Sequence, residues 1–236
     1  MSYRSHLHGI ASAGAVTTWD RPRSAPGDPA RHPKCCGGIK ISLKRHLILI
    51  NFIALKESTL WKDDPLHWPV LGTTSAEGCN LRTVILRKVN MSERILVCYT
   101  DARAAKVQDI KNHSQSSWLF YHPTEKIQLR TSGPTTLHAH DTYADRQWAD
   151  TKITSRLNYC ASQPPGTPID KPSSGLPDFI VNKIPTLVET ERCRKNFMVI
   201  VVHIFSIDGL LLKITGNRRA LFEWDKDRLR STWLVP

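Results

Sequence analysis

The sequence predicts a mainly β domain, an antiparallel barrel with a few helices inserted at its rim. Three observations point there. Between Val70 and Leu137, short runs rich in Val, Ile, Leu, Tyr and Thr follow one another, as strands do. A second set of such runs closes the chain from Asn196 to Val235. The runs are linked closely enough for hairpins, which groups them in one antiparallel sheet whose closure would remove exposed edges.

Each element has its own local reason. Met1–Gly38 is rich in Pro, Gly, Ser, Arg and His without periodicity and is set outside the fold. Ile39–Leu60 reads as a helix, and Trp61–Pro69 as a turn-rich approach. Val70–Thr74 is a short strand, and Ser75–Gly78 a hairpin turn in which Gly78 is free to take positive φ. Asn80–Val89 and Ile95–Thr100 are the next strands. Asp101–Asn112 switches to helical spacing, with Ala102, Ala105, Val107 and Ile110 among polar residues and Thr100 or Asp101 able to cap its start. Ser117–Tyr121 and Ile127–Leu137 return to strand. His140–Tyr159 reads as helical, and Cys160–Pro177, with five prolines, as a loop. Asp178–Arg194 reads as a helix that Pro185 breaks or kinks. Asn196–Phe205, Gly209–Thr215, Arg219–Trp224 and Ser231–Val235 are the closing strands. The expected division is a disordered leader over residues 1–46 and one domain over 47–236.

A hydrophobic share of 40% with seven Trp excludes disorder throughout. Residues 1–46 hold eight Lys/Arg against two Asp, and the other 190 residues 25 against 19, so half of the net +12 lies in the first fifth of the chain. The mildly basic body suits an anionic ligand such as a phosphate ester as well as it suits nucleic acid, and a merely solvated basic surface equally. Six cysteines show no C-x-x-C and no framework spacing, which points to free thiols in a reducing compartment. Cys35 and Cys36 lie near His32 and His46, but adjacent cysteines in a polar leader read as thiols, and no metal site is expected. His138, His140 and Asp141 read as a polar strand-to-helix junction. No run reaches transmembrane length and no secretion signal opens the chain, so a cytoplasmic protein off the membrane is expected, with organelle import left open.

The chemistry-bearing residues fall in three segments. In Leu81–Arg87 two arginines bracket an apolar strand core. At about 3.3 Å per residue they stand roughly 16 Å apart, and their odd spacing sends them to opposite faces unless the strand twists or bulges. They suit an elongated ligand lying along the strand; two solvated arginines at strand ends would look the same. Cys98–Lys106 runs from strand into helix, where free backbone N–H groups, the Thr100 hydroxyl and the Lys106 ammonium make an anion site. Small Ala104 and Ala105 leave the backbone open to approach. An ordinary surface helix is the plainer reading. Gln128 stands among apolar strand residues, and its amide, both donor and acceptor, suits the edge of a heterocyclic ring or a backbone contact at the barrel mouth.

These segments, in this order and spacing, resemble the pyridoxamine 5′-phosphate oxidase-like family of FMN-binding split barrels. "LGTTSAEGCNLRTVILR" (71–87) is similar to that family's opening hairpin and R-T-V-x-x-R/K strand, "CYTDARAAK" (98–106) to its Y-T-D-x-R-S-x-K turn, and "QLRTSG" (128–133) to its Q-x-R-x-x-G strand. "NRRALFEW" (217–224) and "WLVP" (233–236) resemble its terminal arginine strand and closing Leu-x-Pro. The resemblance runs from Leu71 to Pro236 and is weakest over 178–195. It implies an antiparallel, Greek-key-type split barrel, homodimeric, with FMN between subunits. It further implies a cofactor-binding set of Arg82, Thr83, Arg87, Tyr99, Thr100, Lys106, Gln128 and Arg219. In that set Arg82 and Lys106 hold the phosphate with help from Thr100, Arg87 and Tyr99 line the ribityl and ring portion, and Gln128 and Arg219 come from the other subunit.

The segment "QWADTKITSRLNYCASQPPGTP" (147–168) resembles a branch other than the oxidase that names the family. The Ser-Arg dipeptide usual in the phosphate turn is here Ala104-Ala105. The R-P-x-x-S segment that grips the vitamin phosphate is absent, and the terminal arginine–histidine pair is Arg218-Arg219 without His. FMN binding survives these losses more readily than vitamin B6 oxidation. The leading expectation is therefore an FMN-dependent oxidoreductase resembling pyridoxamine/pyridoxine 5′-phosphate oxidase and acting on a small phosphorylated substrate, with catalytic residues unassigned. A non-enzymatic flavin-binding protein is the second reading. A basic nucleic-acid-binding barrel is a third, weaker because the aromatics form no stripe along a groove.

Overall fold

The structure is a computed structural model that describes residues 54–236. The expected leader, the Cys35–Cys36 pair and the first part of the Ile39–Leu60 helix lie outside the described residues; 54–58 are helical. β1 (Val70–Ser75) and β2 (Gly78–Thr83) form the opening hairpin, and Gly78 turns it at φ +137°, a conformation that suits glycine. The expected Asn80–Val89 strand is not continuous. β2 ends at Thr83, and β3 (Lys88–Asn90) pairs with β4 (Ile95–Asp101). In between, the N–H groups of Val84, Leu86 and Arg87 bond to the carbonyls of Pro69, His67 and Val97. The chain there leaves one sheet for the other, so alternation along a single strand no longer relates Arg82 to Arg87.

After helix α1 (Ala105–Asn112) come β5 (Gln115–His122) and the twelve-residue β6 (Ile127–His138). β6 joins the two sheets. Its first half pairs with β5 and β8 (Ser206–Leu211), and its last four residues pair with β7 (Phe197–His203). Gly133 marks the changeover, where a Cβ would collide with the His203 carbonyl. With β9 (Arg218–Asp225) and β10 (Arg228–Leu234), one sheet runs β10-β9-β8-β6-β5-β1-β2 and the other β3-β4-β7-β6, every pair antiparallel. This is the expected mainly β, split-barrel architecture.

Two cores result. Leu71, Trp118, Phe120, Leu129, Ile207 and Phe222 face Leu96, Cys98, Ile200 and Val202 across the barrel. The other face of β4 and β7, through Val97, Phe197, Val199 and Val201, packs on Trp148, Tyr159 and Ile180. Both faces of these two strands are thus covered, which is why they read as near-continuous apolar runs. Each fully buried large side chain contributes about 1.5–3 kcal/mol.

The helical parts are shorter than expected. α1 begins at Ala105, and its N-cap, Ala104, makes no side-chain capping bond; Asp101 instead holds Arg103. Residues 140–159 divide into α2 (Thr142–Ala149), α3 (Ile153–Arg156) and a 3-10 turn, with Asp141 capping α2 and binding His138. Between Asp178 and Arg194 the only α-helix is α4 (Leu187–Glu191), which starts after Pro185 on a Thr186/Glu189 capping box. One cysteine reading is overturned: Cys160 and Cys193 form a disulfide, while Cys79 and Cys98 are free.

Candidate functional site

Arg82 and Lys106 meet around a buried carboxylate. Arg82 stands in the row Leu71–Trp118–Thr131–Ile207–Phe222, the barrel-facing side of the large sheet. Its Nη1 donates to Thr73 Oγ1 at 2.5 Å, and its Nη2 lies 3.7 Å from Asp109. The Thr73 hydroxyl donates to the same carboxylate at 2.7 Å and the Asn80 amide at 3.2 Å. Lys106, one turn before Asp109 on α1, donates to Thr100 Oγ1 at 3.1 Å. Burial, and then the Arg82 charge, hold the Lys106 ammonium below lysine's ordinary pKa. The N-terminus of α1, uncapped by any side chain, opens on the same turn.

Arg87 and Tyr99 form a second group. The guanidinium lies 5.5 Å from the centre of the Tyr99 ring, and the Tyr99 hydroxyl donates to Gln147 Oε1 at 3.1 Å. Arg87 Nε is buried without a hydrogen-bond partner, and no described carboxylate pairs with the guanidinium. Burial pushes the Tyr99 phenol up to about 12. A cleft of about 760 Å³ opens here, lined by Arg87, Lys88, Val89, Ile95, Tyr143 and Gln147 among others. The two groups are neighbours through β4. The Cys98 thiol, pushed up to about 12 by burial, is pulled back by both Lys106 and Arg87.

Thr83, Gln128 and Arg219 are not brought to these groups. One residue on from Arg82, Thr83 points to the opposite, outer face, in the row Val70–Leu119–Arg130–Asp208–Leu221. Gln128 and Arg219 share the next outer row, on either side of Leu210. Arg219 donates to Asp208 at 3.0 and 2.7 Å, and Arg130 binds the same carboxylate. The hydrogen bond from Arg219, with a further one from Arg130, holds Asp208 below the usual carboxylate range. Within one chain the sheet itself separates these residues from Arg82.

Sequence reasoning missed Thr73 and Asp109, which hold Arg82, Asn80, which donates to that Asp109, and Tyr143 and Gln147, which wall the cleft. The last two had a legible signal, since four residues apart on a helix they share a face. Among the described residues no group of three or more His, Cys, Asp or Glu could hold a metal. No described helix is long and apolar enough to cross a membrane.

Residues 54–139 match the model of the pyridoxamine 5′-phosphate oxidase FMN-binding domain. The resemblance read from the motifs is thereby borne out. The match contains every expected cofactor-binding residue except Arg219. No curated protein matches the chain in sequence. Among solved structures the chain is similar to a pyridoxamine 5′-phosphate oxidase-related FMN-binding protein from Nostoc punctiforme PCC 73102. Identity is 21%, coverage 84% of this chain and 100% of that one, and TM-score 0.60. It is also similar to PhzG from Burkholderia lata 383, solved with tetrahydrophenazine-1-carboxylic acid, at 12% identity, covering 84% and 95% with a TM-score of 0.62. At these identities the two establish the shared split-barrel fold.

Proposed function

We propose that the protein binds FMN between two copies of the chain and acts as a flavin-dependent oxidoreductase on a small substrate. The observation that carries the proposal is the pair of cationic groups flanking β4. Arg82, Lys106, the Thr100 hydroxyl and the open start of α1 would hold the phosphate. Arg87 would lie beside the ring, in the cleft that Gln147 and Tyr143 wall, and Tyr99, 5.5 Å from the guanidinium, would back it. These residues fit the cofactor, because a half-buried guanidinium with a bare Nε and a lysine depressed by burial both gain from a nearby anion. Bound FMN supplies the electron-transfer chemistry; the chain positions it, and Arg87 favours negative charge on the reduced ring. Gln128 and Arg219, on the outer face, would serve a second copy's site. That face also exposes Leu81, Leu119 and Tyr121, apolar area that a partner would cover.

Purified protein should be yellow, show flavin absorbance and release FMN on denaturation, and its mass in solution should be that of a dimer. Colourless protein that FMN cannot reconstitute sinks the proposal. A non-enzymatic flavin carrier is the second reading. Ala104 and Ala105 favour it, since neither offers a side-chain ligand to a phosphate. Oxygen uptake with pyridoxamine or pyridoxine 5′-phosphate separates the two, and measurable turnover ends the carrier reading.

A further inference from the structure

The Cys160–Cys193 disulfide ties together two segments that grip one turn from opposite sides. Beside Cys160, the carbonyls of Ala161 and Ser162 accept from the Arg103 guanidinium at 2.9 and 3.4 Å. The same guanidinium pairs with Asp101 at 2.7 Å. Three residues past Cys193, the Asn196 carbonyl accepts from the Ala102 N–H at 2.7 Å. The Asn196 amide donates to the Tyr159 carbonyl, next to Cys160, at 2.8 Å, and the Asn196 N–H donates to the Cys193 carbonyl at 3.0 Å. Residues 101–103 are therefore clamped from both sides, and the disulfide links the two jaws. Thr100 precedes that turn and Lys106 follows it. Between the cysteines, residues 162–174 are exposed, while Tyr159, Ile180 and Phe197 keep the surrounding core packed. Opening the bond would free the jaws without emptying the core.

We infer that this disulfide is a thiol-reducible latch on the anion-binding turn, tight when oxidised and loosened when reduced. The inference rests on the reading of Thr100 to Lys106 as the phosphate cradle. The reductant is a dithiol, protein or small-molecule. Its thiolate attacks one sulfur, forming a mixed disulfide and expelling the other cysteine as a thiolate that takes up a proton. The reagent's second thiolate then attacks the mixed disulfide and releases the first cysteine, which is protonated in turn. Two electrons pass to the protein, both cysteines end as thiols, and the dithiol ends as its own disulfide. Both cysteines are buried, at 4% and 7% exposure, so attack follows local opening of the exposed 162–174 loop.

The test uses the full chain, air-oxidised and then treated with dithiothreitol. Peptides carrying Cys160 and Cys193 should resist alkylation in denaturant until reduced. Reduction should speed hydrogen exchange at the Ala102 amide by about tenfold or more while β7 amides stay protected. FMN affinity should fall by about tenfold in the same step. A Cys160→Ser/Cys193→Ser variant should match the reduced protein and ignore dithiothreitol. Alkylation of both cysteines before reduction overturns the latch, as does unchanged Ala102 exchange or measurable FMN affinity that is equal in the two forms. If FMN binds neither form while Ala102 exchange still responds, the cofactor reading falls and the latch stands as a thiol-gated turn.

Discussion

Arg82 and Arg87 stand five residues apart and meet opposite circumstances. Arg82 is balanced from within: Asp109 supplies the counter-charge, and Thr73 bridges the two by accepting from one and donating to the other. Arg87 has a ring beneath it, a bare buried Nε and, among the described residues, no carboxylate partner. A cation paired inside the protein is held in place before any ligand arrives, so its loss is felt in stability and in binding. An unpaired cation costs the fold something, and its return comes when an anion binds. The end proposed for the phosphate should therefore be rigid and structural, and the end proposed for the ring electrostatically strained and chemical.

The largest effect should come from breaking the balanced end. Asp109→Ala leaves Arg82 and Lys106 facing each other, with the Thr73 and Asn80 donors unmatched. Removing one partner of a largely buried ion pair costs about 3–5 kcal/mol, read as a lower denaturant midpoint. A cost under about 1 kcal/mol would show that Asp109 does not hold this end together. Arg82→Met comes next. It should weaken FMN by about 2–3 kcal/mol, the value of a charge-assisted contact, while riboflavin, which lacks the phosphate, binds as before. Equal losses for both ligands would place Arg82 away from the phosphate. Arg87→Met should change stability by less than about 1 kcal/mol, because only a ring contact is lost and a bare charge removed. It should also make the bound flavin harder to reduce, by about 30 mV. An unchanged potential with FMN still bound would move Arg87 away from the ring.

The same contrast explains what the sequence revealed. The barrel was legible because its strands carry their own signals. β5 alternates Ser116, Trp118 and Phe120 inward, and β4 and β7 are apolar on both faces. Arg82, on another strand, joined Thr100 and Lys106 only through the family resemblance, but those two were legible together because a strand running into a helix start has few geometries. The Arg82–Arg87 relation was not, since hydrogen bonds to Pro69, His67 and Val97 carry the chain between sheets, and those partners are distant or non-strand. Asp109 was hidden because a single Asp in a polar helix looks like any solvated residue until β1 and β2 pack on it. The disulfide spans 33 residues of loop and short helix, where no period relates the two cysteines. The Asp178–Arg194 helix was overread, because Pro185 stops the helical pattern and only Leu187–Glu191, beyond it, forms an α-helix.

The smallest effect is in pH, and it separates the two ends again. Burial and Arg82 lower the Lys106 pKa from its ordinary 10.5, so between the folded value and 10.5 the unfolded chain binds more protons. Stability should rise with pH across that window, as the fold is relieved of a charge it disfavours. FMN affinity should run the other way. The phosphate is already a dianion at that pH, and of the two forms of Lys106 only the charged one attracts it. Binding therefore draws a proton onto Lys106, and affinity falls as pH climbs toward 10.5, by less than about tenfold. Lys106→Arg stays charged throughout and should flatten the fall, in FMN fluorescence titrations from about pH 8 upward. Burial holds the Tyr99 phenol and the Cys98 thiol near 12, above this range, so neither supplies the slope. A decline that persists in Lys106→Arg would assign the titration to another group and detach Lys106 from the phosphate.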